Sequence, residues 1–80
     1  MRLDKFLKVS RLIKRRTVAN EVSDMGRVFV NGYPSKPSKQ IKENDIIEIE
    51  YATKTVKVKV LKVPHGAVSV QEAPTLYENC

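Results

Sequence analysis

Eighty residues suffice for one small domain and leave no room for a separate catalytic unit. The composition is 41% hydrophobic and 30% charged with a formal net charge of +6, which suits a folded, basic chain and not a disordered or membrane-spanning one. One cysteine, Cys80, and one histidine, His65, exclude an internal disulfide and any Cys/His metal centre.

The lone thiol fits a reducing compartment, and the basic N-terminus lacks the apolar stretch of a signal peptide. A cytoplasmic protein with no membrane partner and no cofactor is expected. Charge is divided along the chain, with +8 over residues 1–42 and −2 over residues 43–80. Clustering of this kind, more than net charge, points to an anionic partner met by the N-terminal half.

Residues 2–9 are expected to form a short helix. Leu3, Phe6 and Leu7 fall on one side, and Arg2, Lys5 and Lys8 on the other with Asp4 beside them. Ser10 or the residues after it should end the helix, leaving Leu12 and Ile13 as core plugs. Thr17 is placed as the N-cap of a second helix carrying the apolar stripe Val18, Val22 and Met25, with Asn20, Glu21, Ser23 and Asp24 outside and Gly26 as the stop.

Strand signals follow. Val28–Val30 reads as a short strand, Asn31-Gly32 as a hairpin turn, and Tyr33 onward as a partner strand limited by Pro34 and Pro37. Residues 35–44 form a polar, Lys-bearing loop closed by an Asn44-Asp45 turn. Alternation over residues 46–51 (Ile47, Ile49, Tyr51) and 55–63 (Val56, Val58, Val60) predicts a hairpin. Glu48 and Glu50 would face Lys57 and Lys59 in a charge ladder. Val68 and Val70 suggest a brief edge strand. The last ten residues show no period, which leaves two readings, a disordered tail or one docked through Leu76 and Tyr77.

The chemistry of these residues is that of a polyanion contact. Arg2, Lys5, Lys8, Arg11, Lys14, Arg15 and Arg16 lie within the first sixteen positions with a single acid. Such groups neutralise phosphates and release counterions, and arginine adds a planar fork for phosphate oxygens. Thr17 and Asn20 stand beside Arg15 and Arg16 at the start of the second helix. There Thr17 can cap or meet a phosphate, and Asn20 can bond a sugar or phosphate or face water. Lys36 and Lys39 extend the basic surface. No nucleophile–base pair and no Gly-rich phosphate loop is present, so a non-enzymatic role is expected.

Three runs, taken in order, carry a resemblance: Arg2-Leu3-Asp4-Lys5-Phe6-Leu7, Lys14-Arg15-Arg16-Thr17-Val18-Ala19, and Gly26-Arg27-Val28-Phe29-Val30-Asn31-Gly32. Together with Pro37-Ser38 and Asn44-Asp45-Ile46 they resemble the αL-motif RNA-binding domain named after small-subunit ribosomal protein S-four. Where that family usually has Gly-Asp, this chain has Asn44-Asp45, and Asn also tolerates positive φ. The resemblance implies an α+β fold with two N-terminal helices packed on a small, mostly antiparallel β-sheet. Residues 1–65 would form the αL-type domain with its β-hairpin, and residues 66–80 a short C-terminal extension.

Lys8–Thr17 is similar to the short stand-alone members of the family, the fifteen-kilodalton heat-shock proteins and the RqcP group of ribosome quality control. That similarity implies binding to large-subunit rRNA and peptidyl-tRNA on stalled 50S subunits. It also implies C-terminal tailing of the nascent chain with an RqcH-type factor. A monomer off the ribosome is expected. Arg2 and Arg16 match the family's RNA-contacting basic positions. A translation-linked adaptor acting through a protein-binding β-surface is the alternative.

Overall fold

The computed structural model describes residues Met1–Cys80. Its elements are α1 (Leu3–Val9), α2 (Arg16–Asp24), β1 (Val28–Val30), β2 (Tyr33–Pro34), β3 (Ile46–Glu50), β4 (Thr55–Val60), a 3₁₀ turn (Ala73–Leu76) and β5 (Tyr77–Asn79). The five strands form one antiparallel sheet in the order β2-β1-β3-β4-β5. The fold is α+β, with two helices on one face of that sheet.

Alternation sets which face is covered. Val28, Val30, Ile47, Ile49, Val58 and Val60 are buried and meet Leu3, Phe6 and Leu7 of α1 in a single apolar cluster. Ile13 joins it from the turn after α1, as its position in the sequence suggests, with Leu12 packed against the margin. Each buried aliphatic side chain contributes about 1.5–3 kcal/mol relative to exposure, so these six strand residues are the main reason that the sheet keeps its register.

The turns follow local chemistry. Asn31 and Gly32 both have positive φ, +53° and +86°, which is the mirror-image turn that joins β1 to β2 without splaying them. The Asn31 amide also donates to Asp45 (3.1 Å) and accepts from the Ile46 backbone N–H (2.9 Å), tying this hairpin to the Asn44-Asp45 turn. Asn44 itself has φ +74°, which fits its place where the family usually has Gly. Gly26, at φ +75°, ends the α2 segment as expected.

Four expectations are corrected. Thr17 is not the N-cap: α2 begins at Arg16, Arg15 is the cap residue, and no side chain caps the helix. The buried face of α2 is not Val18–Val22–Met25. Val18 and Met25 are exposed, while Ala19 and Ser23 are buried, with Val22 packed beside them. Small residues there let α2 approach α1 closely, and the Ser23 hydroxyl is satisfied by the Ala19 carbonyl at 2.8 Å.

The edge strand is Tyr77–Asn79 and not Val68–Val70. Leu76 is buried in the core just before it, and the Leu61 N–H donates to the Leu76 carbonyl at 2.8 Å. The charge ladder on the uncovered face is rearranged, with its second rung formed between Lys59 and Glu78 of β5 and not with Glu50. Glu48 stands opposite Lys57, but Glu50 faces Thr55, and Lys59 lies between Ile46 and Glu78.

Candidate nucleic-acid interface

Asp4 lies in the first turn of α1 and is 2% exposed, the least expected position for an acid in a run of cations. Its carboxylate gathers groups from both helices. The Arg2 guanidinium reaches it at 3.3 Å and that of Arg16 at 3.4 Å, and the Asn20 amide donates at 3.3 Å. The Lys5 backbone N–H adds a bond of 2.8 Å. These are the only two ion pairs in the chain. Arg2 and Arg16 remain about half exposed, at 46% and 47% of their side-chain surface, so each guanidinium keeps an open side.

Burial would raise the Asp4 carboxyl's pKa. The bonds from Asn20 and Arg16 and the charges of Arg16 and Arg2 outweigh it and hold the group below the usual carboxylate range. A carboxylate depressed in the folded state contributes stability that is complete above its unfolded value, 3.8, and is lost as pH falls through the folded value. In acid titrations followed by circular dichroism, the wild-type advantage over Asp4→Asn should therefore be constant near neutrality and shrink below about pH 4. An advantage that persists undiminished at pH 2 would contradict this.

The other cations are arranged around that centre. Lys5, Lys8, Arg11 and Lys14 line one cleft, closed on its far side by Gly66, Ala67 and Val68. Arg11 takes φ +61°, a conformation uncommon for a side-chain-bearing residue, at the turn that leads out of α1. Asp4, Arg16, Thr17, Asn20 and Glu21 line a second, wide cleft of ≈ 410 Å³ at the start of α2. Arg15 is exposed just before it.

Two cations at the positive end of a helix dipole oppose the stability of α2. The buried Asp4 carboxylate offsets that repulsion, and the N–H groups of the first turn have no backbone partner, the arrangement that suits an anion at a helix start. Lys36 and Lys39 lie in the loop that borders α1, where the Leu3 N–H donates to the Lys39 carbonyl (2.8 Å) and the Asp4 N–H to that of Pro37 (3.1 Å).

The structure thus joins Arg2, Arg16 and Asn20 directly, puts Lys5, Lys8, Arg11 and Lys14 in an adjoining cleft, and runs Lys36 and Lys39 along the border. What sequence reasoning missed is Asp4 as the shared acceptor and the 66–68 segment as a cleft wall. Only the packing of α2 on α1 brings residues 12 and 16 positions away onto one carboxylate.

The S4 domain profile matches residues 1–47. The chain belongs to the S4 domain family. As an S4 domain protein it is 51% identical over 78 residues to the RQC P-site tRNA stabilizing factor of Streptococcus pneumoniae, covering 98% of this chain and 88% of that one. It is 53% identical, with the same coverage, to the factor of that name from Halalkalibacterium halodurans. Among solved structures, the trimeric Heat Shock Protein 15 of Vibrio cholerae superposes with a TM-score of 0.90 at 29% identity. That match covers all of this chain and 81% of the other.

Proposed function

We propose that this chain is a non-enzymatic RNA-binding factor of ribosome quality control, which holds large-subunit rRNA and peptidyl-tRNA on stalled 50S subunits in the cytoplasm. Its effect would be to keep that arrangement productive for C-terminal tailing of the nascent chain by an RqcH-type partner. Off the ribosome it would be a monomer. The observation that carries the reading is the pair Arg2 and Arg16, held by one buried carboxylate with both guanidiniums open to solvent. Two planar forks fixed side by side match phosphate oxygens of a structured RNA and need little ordering on binding. The names of the relatives, at about half identity over nearly the whole chain, supply the ribosomal setting.

Co-sedimentation distinguishes this from general basic-protein adhesion. The protein should pellet with 50S subunits that carry peptidyl-tRNA at physiological salt, and at least about tenfold less with empty 50S subunits, a difference of about 1.4 kcal/mol. Equal recovery with both, or none with either, would sink the proposal.

A further inference from the structure

Tyr33 has no structural task. It is 75% exposed, the most exposed of the large apolar side chains, and its hydroxyl bonds to nothing in the chain. It sits on β2, at the open edge of the sheet. Its register partner is Val30, which points into the core, so Tyr33 lies on the helix-bearing face. There it borders an open groove of ≈ 470 Å³ with Asn31, Pro34, Lys36, Ser38 and Lys39.

Two further facts restrict what fits this groove. Residues 25–42 contain Arg27, Lys36, Lys39 and Lys42 and no acid at all. The loop that carries Lys36 and Lys39 also adjoins the first turn of α1, where Arg2 bridges to Gln40 and the Leu3 and Asp4 N–H groups donate to the Lys39 and Pro37 carbonyls. A solvated loop accounts for the lysines but not for an unpartnered ring in the same groove. The apolar surface here is confined to the exposed Tyr33 and Pro34, since Val30 is 2% exposed, and the rest of the lining is polar or cationic, which favours a nucleotide over a protein partner. An open aromatic ring in a groove that Lys36 and Lys39 also line matches an unpaired nucleotide, whose base stacks while its phosphates meet the lysines.

We propose that Tyr33 is a stacking platform for one unpaired base of the bound RNA, with Lys36 and Lys39 gripping the flanking phosphates. This rests on the RNA-binding reading above and adds to it a preference for single-stranded or bulged elements.

The test uses the full chain and two fluorescein-labelled RNA hairpins, identical except that one carries a single unpaired adenosine in its stem. Fluorescence anisotropy should show tighter binding of the bulged hairpin. Tyr33→Ala should weaken that complex at least about fivefold and the fully paired one less than about twofold, while Tyr33→Phe retains wild-type affinity. Independently of any variant, the Tyr33 ring proton resonances should move upfield when the bulged hairpin is titrated in.

Absence of that movement, or wild-type affinity of Tyr33→Ala for the bulged RNA, overturns the stacking proposal. If Arg16→Ala still weakens both hairpins in that case, the RNA-binding reading stands alone. Failure of the wild-type protein to bind either hairpin removes both. Loss of 50S binding by Tyr33→Ala with hairpin binding unchanged would assign the ring to a protein contact, which also overturns it.

Discussion

Asp4→Ala is expected to weaken RNA binding by about tenfold, even though it takes a negative charge away from the basic surface proposed to meet the RNA. Counting charges alone predicts the opposite, because the local net charge rises by one. The structure argues for loss, since the carboxylate is the shared acceptor for Arg2, Arg16, Asn20 and the Lys5 N–H. Without it, two long side chains regain rotamer freedom, and binding must order them again at about 0.5–1.5 kcal/mol each.

The same change should destabilise the fold by about 1–3 kcal/mol, the range for removing a buried acceptor of several donors. For a domain of this size that corresponds to roughly 4–8 °C in Tm per kcal/mol. Thermal denaturation and RNA titration of one preparation check both expectations. Tighter RNA binding by Asp4→Ala would show that the carboxylate merely dilutes the basic face.

Arg16→Ala and Arg2→Ala should each weaken 50S binding while leaving the protein folded, because either change leaves the other guanidinium on Asp4. Each phosphate contact contributes roughly 0.7–0.9 to the slope of log affinity against log salt, so removing both arginines should flatten that slope by roughly 1.4–1.8. Arg16→Lys separates charge from geometry. It should keep the slope and still lose affinity, since an ammonium cannot present two parallel N–H groups to Asp4 and to a phosphate at once. Wild-type co-sedimentation by both alanine variants, with folding verified, would count against the assignment of this face.

The legible parts of the fold were those whose geometry is dictated within a few residues. Asn31-Gly32 declares its turn through tolerance of positive φ, and the Val56–Val58–Val60 alternation declares which strand face is covered. In α1, Leu3, Phe6 and Leu7 leave no second choice of buried side. The second helix was ambiguous because two stripes, through Val18 and through Ala19, both have helical spacing. Hydrophobicity favoured Val18, but the close approach to α1 selected the smaller Ala19 and Ser23.

Strand β5 was illegible for a different reason. Three residues, Tyr77–Asn79, carry no periodicity, and their pairing is offered by the free edge of β4. At the candidate site the cations were legible from clustering. The organising role of Asp4 was not, since an acid in a basic run is ordinarily a solvated neighbour until packing removes it from water.

The uncovered face of the sheet carries Glu48, Glu50 and Glu78 with Lys57 and Lys59, while the cations of residues 2–16 stand on the helical side. The molecule is therefore electrically polarised. During diffusion its field exerts a torque that turns the helices toward a polyanion before any contact forms. Most of the salt sensitivity of association should then appear in how often a collision is correctly oriented, and at about 0.01 M salt, where the Debye length of about 30 Å exceeds the 28 Å extent of the molecule, glutamates on the far face take part in docking without touching the RNA.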